Sequence, residues 1–397
     1  MISHTQTRRR ALSTLAASAT IALALVACSS DSVGQGTNDQ TGEAGPTQDS
    51  ADFSTILPTG DVVEFSKTLV ESNLDSTEGF TPPSDGPTAQ APGTHIAYVG
   101  SDLTNGGINT VYSGVQEAAE AIGWVVDSYD GQASAQGRSD AMGQAIAGHP
   151  GAIIVGGFDP TEQASTIKQA TDAGIPVIGW HAGTEPGPGN GMFTNITTDP
   201  LKVSQLAAAY AVADSDGKAG AVIFTDSQYD IAVLKADAMK AYIEACEACT
   251  VLAYEDSPIA EANQRMPGLI SSLLQQYDDK LTYLLAINGN YFGGAQSSLR
   301  AAGKDPAGPP KAVAAGDGDS AEFQRIRNVD YQSATVADPL ILQGWQLVDE
   351  ANRALAGADP SGFLAAPALI TKENVPDSDV FDPDSGYRDI YKQAWGK

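Results

Sequence analysis

Short apolar runs recur at near-regular intervals from Thr94 onward. They are His95–Val99, Trp124–Ser128, Ala152–Val155, Pro176–Trp180, Ala221–Phe224, Thr250–Tyr254, Thr282–Ile287, Lys311–Ala315 and Ser333–Val336. Each is too short for a helix and lacks strict polar–apolar alternation, the pattern of a strand buried on both faces of a parallel sheet. Between them, apolar residues recur at helical spacing: Val111, Val115, Ala118, Ala119 and Ile122, then Leu201, Val203, Leu206, Ala207 and Tyr210, then Ile231, Leu234, Ala238, Met239 and Tyr242. Positions three and four apart share one helix face. Strands alternating with such helices predict an α/β fold of doubly wound parallel sheets, and this many strands suits two sheets better than one. Glycines cluster just after the strands (Gly100, Gly156, Gly157, Gly179, Gly289, Gly316). Strand C-terminal ends are where open α/β sheets bind ligands. Glycine there either ends the strand or lets backbone approach a ligand closely.

The N-terminal region breaks this pattern. Arg8, Arg9 and Arg10 precede an apolar run from Ala11 to Ala27 that contains Ser13, Thr14, Ser18 and Thr20. The run is short and weakly apolar for a membrane span and reads as the hydrophobic region of an export signal. It ends in Leu25-Val26-Ala27-Cys28, which resembles the lipobox of bacterial lipoproteins and implies lipidation of Cys28. The alternative is a plain signal peptide with an incidental cysteine. The arginine run also resembles a twin-arginine export signal. Ser29–Ser50 is polar throughout, so it is expected to be a flexible tether. Ala51–Val70 carries enough apolar residues to pack on the outside of the main body, and Phe80–Gly93 reads as a second, Pro/Gly-rich linker.

A chain of 397 residues exceeds one ordinary core and suggests two domains. With 22 Lys and Arg against 49 Asp and Glu, its net charge is −27, which repels phosphate backbones and disfavours a nucleic-acid partner. Motifs for enzymes are missing. There is no G-x-S-x-G elbow, no phosphate-binding G-x-x-x-x-G-K-[ST], no H-E-x-x-H, and no G-x-G-x-x-G in the first strand–helix turn, which reads Gly100 to Gly107. The four histidines (4, 95, 149, 181) lack metal-ligand spacing, so neither a metal nor a cofactor is predicted. Cys246-Glu247-Ala248-Cys249 closes a helical stretch and leads into a strand. Redox pairs instead open a helix, so a small structural disulfide is expected.

Seven segments, in order, carry a family resemblance: His95-Ile96-Ala97-Tyr98-Val99, Gly114-Val115-Gln116-Glu117-Ala118-Ala119, Gly151-Ala152-Ile153-Ile154-Val155, Asp172-Ala173-Gly174-Ile175-Pro176-Val177, Gly217-Lys218-Ala219-Gly220, Leu299-Arg300-Ala301-Ala302-Gly303-Lys304 and Ala334-Thr335-Val336-Ala337. From Thr94 to about Ile370 the chain resembles the type I, ribose-binding-protein-like solute-binding proteins of bacterial ABC importers. The resemblance implies two doubly wound lobes joined by a three-strand hinge, crossing near Asn195–Asp199, Asp338–Pro339 and Pro367–Ile370. Residues 1–28 are then the lipoprotein signal and 29–93 the tether with its short packed segment. Residues 94–198 plus 339–366 form the N-terminal lobe, and 199–338 plus 367–397 the C-terminal lobe and tail. Ligand sits in the cleft and is buried when the lobes close.

The resemblance also assigns positions. Asn105, Asn288 and Asp317 match polar ligand-binding positions, and Asp338 stands where pentose binders carry Gln. Pentose binders follow the first Asn with Pro and two stacking Phe; here Gly106, Gly107 and Ile108 follow. Their Asp-Arg after the fourth strand is His181-Ala182, and their cleft Arg falls near Leu234. Ribose itself is therefore not expected. The candidate wall comprises Asp102, Asn105, Asp159, Trp180, His181 and Asp226, with Tyr229, Asn263, Asn288, Tyr291, Asp317 and Asp338. Asn and Asp hydrogen-bond hydroxyls, and aromatic faces cover sugar C–H surfaces. Alternatives stand beside these readings. Trp180 serves equally as a core residue and His181 as a loop residue. Asp226 and Tyr229 serve as cap and packing, and of Tyr291 and Phe292 one faces the cleft and one the core.

Only Arg138 and Arg265 look placeable as basic partners, and a desolvated carboxylate or phosphate would need such partners. The expected ligand is a neutral sugar or polyol, with an amine-bearing one second. The expected function is the extracytoplasmic binding component of an ABC importer. It would be a monomer, lipid-anchored on the outer face of the cytoplasmic membrane or in the periplasm, and would deliver ligand to a permease. The alternative is a sensing module that presents a solute to a membrane receptor. The acidic tail 374–397 lacks EF-hand spacing and acquires no role from the sequence.

Overall fold

The computed structural model describes residues 51–397, so the segments expected to be export signal (1–28, with Cys28) and tether (29–50) lie outside the described residues. The chain runs through α1 (Val62–Leu74), β1 (His95–Gly100), α2 (Gly106–Ile122), β2 (Val125–Asp130), α3 (Ala135–Ala147), β3 (Ala152–Gly156), α4 (Ala164–Asp172), β4 (Val177–Trp180), β5 (Gly187–Gly189) and β6 (Met192–Ile196). It continues through α5 (Pro200–Asp214), β7 (Gly220–Thr225), α6 (Asp230–Glu244), β8 (Thr250–Asp256), α7 (Ala262–Tyr277), β9 (Tyr283–Ala286), α8 (Asn290–Ala301), β10 (Lys311–Ala314), α9 (Ser320–Asn328), β11 (Gln332–Ala337), α10 (Leu340–Ala356), β12 (Ala368–Thr371) and α11 (Tyr387–Ala394).

Two six-stranded sheets result, in the orders β2-β1-β3-β4-β6-β5 and β12-β11-β10-β9-β7-β8. Their central pairs are parallel, with Ile96 opposite both Val126 and Ala152, and Leu284 opposite both Val222 and Ala312. Among the described residues only the β5–β6 and β11–β12 pairs are antiparallel. Each of the nine apolar runs is a strand. Central strands β3, β7 and β9 are buried along their whole length. Strands β2 and β8 differ from the expectation of two buried faces: both lie at sheet edges, β2 leaving Val125 exposed and β8 being only half-buried. Strands β5, β6 and β12 carry no long apolar run, and β5 is Gly-Pro-Gly; neighbouring strands, not local pattern, recruit them.

The chain passes from the first lobe to the second between β6 and α5, and returns between β11 and α10. It passes a third time between α10 and β12. Helix α10 packs along α2, with Trp345, Leu347 and Val348 in one core with Val111, Val115 and Ile154. The second core gathers Val222, Leu284, Leu285, Met239 and Ile270, with apolar residues of α1 against it. Helix α1 starts at Asp61, whose side chain accepts from the Val63 and Glu64 N–H groups. Cys246 and Cys249 are disulfide-bonded between α6 and β8, the arrangement expected from their spacing.

Two segments sit elsewhere than expected. Residues 367–397 are expected whole in the second lobe, but only β12 joins that sheet. Helix α11 lies on α10, where Trp395 stacks on Trp345 (centroids 5.5 Å, 7° between planes) and donates to Asp349 (2.8 Å). Tyr387, Tyr391 and Trp395, four apart, form one apolar face that covers α10. The stretch Phe80–Gly93, read as a linker, is strapped to the same helix. Asn352 donates to the Pro87 carbonyl (3.0 Å) and accepts from the Gln90 N–H (2.9 Å), while Phe80 is buried edge-on against Phe381. Side-chain amides thus satisfy backbone that has no ladder of its own. Among the described residues no helix is long and apolar enough to cross a membrane.

Candidate functional site

The C-terminal ends of both sets of strands face each other across a cavity of about 80 Å³. From the first lobe come Ser101, Asp102 and Asn105 after β1, Ala133 after β2, Gly157 after β3, and Trp180 and His181 at the end of β4. The second lobe supplies Tyr229, Ile231, Ala232 and Lys235 after β7, and Ile259 and Ala260 after β8. Ile287 and Asn288 follow β9, and Asp317 follows β10.

Seven of the twelve residues named from sequence line this cavity: Asp102, Asn105, Trp180, His181, Tyr229, Asn288 and Asp317. Five do not. Asp338 is fully buried just behind, where its Oδ2 accepts the Asp317 N–H (3.1 Å) and its Oδ1 accepts from Thr198. Asp159 holds its own loop through the Thr161 and Glu162 N–H groups. Asp226 ties two loops, accepting from Gln228 and Ile259 N–H. Tyr291 is a core residue, stacked on Phe224 and donating to the Ser257 carbonyl (2.8 Å), and Phe292 is buried beside it. Asn263 is exposed on α7.

Several side chains are held firmly. Trp180 is buried, donates to Gln343 Oε1 (2.9 Å) and stacks on His181 (4.1 Å, 7°). His181 (φ 47°) and Asp317 (φ 63°) occupy left-handed backbone, a costly conformation for non-glycine residues that recurs at ligand sites. Asn105 caps α2 through the Ile108 N–H, and Asp102 accepts from Thr104. The lobes touch. Asp230 N–H donates to Asp159 Oδ2 (3.2 Å), and Arg138 reaches Tyr229 Oη (3.3 Å) across the cleft. The N-terminus of α2 abuts the β10–α9 loop so closely that a Cβ at Gly107 would lie 2.8 Å from Asp317 Cγ, and one at Gly106 would overlap the Asp319 carboxylate. The positive end of the α2 dipole thereby meets the Asp319 carboxylate of the other lobe, which favours closure.

Burial sets the charges. The Asp317 carboxyl is pushed up to about 8 by desolvation; Lys235 opposes this, and Asp338, Glu322 and Asp319 add to it. The His181 imidazole is pushed down to about 4, again mainly by burial, and its Nε2 is buried without a hydrogen-bond partner, 3.8 Å from Asp338 Oδ2. At neutral pH His181 is therefore uncharged and Asp317 is mostly protonated. His181, Asp317 and Asp338 bring three ligating atoms within 4.8 Å of one another. Both Asp338 oxygens are already engaged, and the Lys235 ammonium adds positive charge beside them. The cluster thus suits hydroxyls better than a cation.

Lys235 is the residue the sequence reading missed. It is buried on α6, and a Cβ at Gly316 would come within 2.6 Å of its Nζ. The signal was one residue away, since the cleft arginine of pentose binders falls near Leu234. The two arginines considered instead are neutralised: Arg138 pairs with Glu162 (2.6 Å), and Arg265 is exposed beside Glu261.

Residues 96–359 match the family model described as periplasmic binding protein domain. The chain belongs to this family. As a periplasmic binding protein it is an exported, extracytoplasmic solute binder and not an enzyme. Solved structures share its two-lobe, type I fold. An ABC transporter solute-binding protein from Agrobacterium vitis, bound to α-D-tagatopyranose, is 22% identical with a TM-score of 0.64, covering 72% of this chain and 97% of that one. One from Bacillus halodurans with bound myo-inositol is 18% identical (TM-score 0.61, covering 72% and 98%). The 5-methylthioribose transporter solute-binding protein from Thermotoga lettingae, in complex with 5-methylthioribose, is 18% identical (TM-score 0.63, covering 77% and 94%). No curated protein matches the chain by sequence.

Proposed function

We propose that this periplasmic binding protein is the solute-binding component of an ABC-type importer, capturing a neutral sugar or polyol by lobe closure and passing it to a membrane permease. The observation that carries the reading is the closed cleft, a cavity built half by each lobe and lined by the hydrogen-bonding groups of Asn105, His181, Lys235, Asn288 and Asp317. Parting of the lobes would break the contacts across the cleft and open the site, which is what delivery to a permease requires. One ammonium, Lys235, faces the two buried carboxyls of Asp317 and Asp338, so no unbalanced positive charge remains for an anionic ligand. The sugars and the inositol bound by the similar structures agree with this choice. Cys28 is the lipid attachment point and residues 29–50 the spacer to a monomeric body. The lobes comprise 94–198 plus 339–366 and 199–338 plus 367–371, with the tail lying on the first. Calorimetric titration across sugars, polyols, amines and organic acids tests the reading. Tight binding of an organic acid alone would overturn the neutral-ligand assignment, and binding of nothing would overturn solute capture at this cleft.

A further inference from the structure

The cleft changes character along its length. In the second sheet the order runs β10-β9-β7-β8, and the aliphatic cavity residues gather toward one end, Ile231 and Ala232 after β7 and Ile259 with Ala260 after β8, while Asp317 follows β10 and Ile287 with Asn288 follow β9; Tyr229 and Lys235 of the β7 segment also line the cavity. The first sheet, ordered β2-β1-β3-β4, matches it. His181 ends β4 at the polar end, and Ala133 follows β2 at the other. His181 Nε2 lies 3.8 Å from the Asp338 carboxylate that holds the Asp317 loop, whereas Arg138, beside Ala133, touches Tyr229 at the start of α6. Neighbouring strands stand about 4.8 Å apart, so the run from β10 to β8 spans roughly 14 Å.

We propose, resting on the sugar-capture reading above, that the ligand carries an apolar substituent. Its hydroxyl-bearing head is held by His181, Asn288 and Asp317, and a short alkyl or alkylthio group lies against Ile231, Ile259 and Ala260. A bare sugar spanning the cleft would press hydroxyls onto Ile231, Ile259 and Ala260, side chains that offer them no hydrogen bond. A methyl or thioether group there loses nothing and removes apolar surface from water.

Paired probes titrated calorimetrically into the protein test this: D-ribose against 5-deoxy-5-methylthio-D-ribose, D-galactose against its 6-deoxy form, and methyl against butyl glycosides of each. The substituted member is expected to bind about tenfold tighter, as burial of one or two carbon-sized groups implies. Ile259→Asn is expected to bring the ratio to within about threefold. Ile259 is half-buried in a surface turn, and an unchanged melting temperature checks that the variant folds. His181→Ala is expected to weaken both members of a pair alike. If sugars bind and the bare member of every pair is equal or tighter, the substituent proposal fails while solute capture stands. If no probe binds and no compound of the wider panel does, both fail.

Discussion

Asp317→Asn isolates the charge of the cleft carboxyl. Asn tolerates the left-handed backbone at this position (φ 63°) as readily as Asp. The bond to Asp338 comes from the backbone N–H and survives the change. Folding raises the Asp317 carboxyl to about 8 from its ordinary 3.8. Between these values the native state keeps a proton that the unfolded chain releases. The contribution is therefore fully present below about pH 4 and is lost as pH climbs through about 8. About four pH units at 1.36 kcal/mol each set an upper bound of roughly 5 kcal/mol on the loss. Urea unfolding of both proteins from pH 4.5 to 8.5, with the two stability curves subtracted, measures it. Subtraction removes the groups shifted in both proteins, among them Glu322 and Glu350, raised to about 7, and His181, lowered to about 4. The variant is expected to gain at least about 2 kcal/mol on the parent between pH 5 and pH 8. Parallel curves would refute the reasoning: Asp317 would then be ionised throughout, and the cleft would hold an Asp317–Lys235 ion pair.

Three further outcomes follow from the same geometry. Gly106→Ala places a methyl group against the Asp319 carboxylate only when the lobes are closed. It should leave unliganded stability unchanged or raised by up to about 1 kcal/mol while weakening the tightest sugar of the panel at least about tenfold; unchanged affinity in titration would show that closure does not need this contact. Trp180→Ala removes a buried ring and strands Gln343 Oε1, so a stability loss of about 3–5 kcal/mol is expected in urea, with weaker sugar binding; a loss under about 1 kcal/mol would contradict the packing described. The double change Cys246→Ser, Cys249→Ser opens a very short loop, and chain entropy predicts a cost of about 2 kcal/mol, read from unfolding midpoints with and without the bridge.

Much of the fold was legible because its signals are local. A run such as Ala152–Val155 is apolar on every residue because a central parallel strand is covered on both faces, and Val111, Val115 and Ile122 mark the one face of α2 that is covered. The polar residues directly after strands, Asn105, His181, Asn288 and Asp317, were legible for a related reason: a sheet's C-terminal edge is where the chain turns toward ligand. Periodicity says that a face is buried but not what covers it, and Tyr291, the tail and Lys235 fall in that gap. Tyr291 opens a helix beside the cleft, yet Phe224 and the Ser257 carbonyl claim its ring and hydroxyl. The aromatic stripe of the tail needed α10 of the other lobe as its partner, and β5 needed β6, itself held by β4. Lys235 lies between the apolar positions of α6, and in an isolated helix nothing distinguishes it from a solvated lysine. Closure of the first lobe over α6 makes it a cleft residue. That closure is set by contacts between residues far apart in the chain, Asp159 with Asp230 and Arg138 with Tyr229, and such contacts leave no pattern that can be read at either position alone.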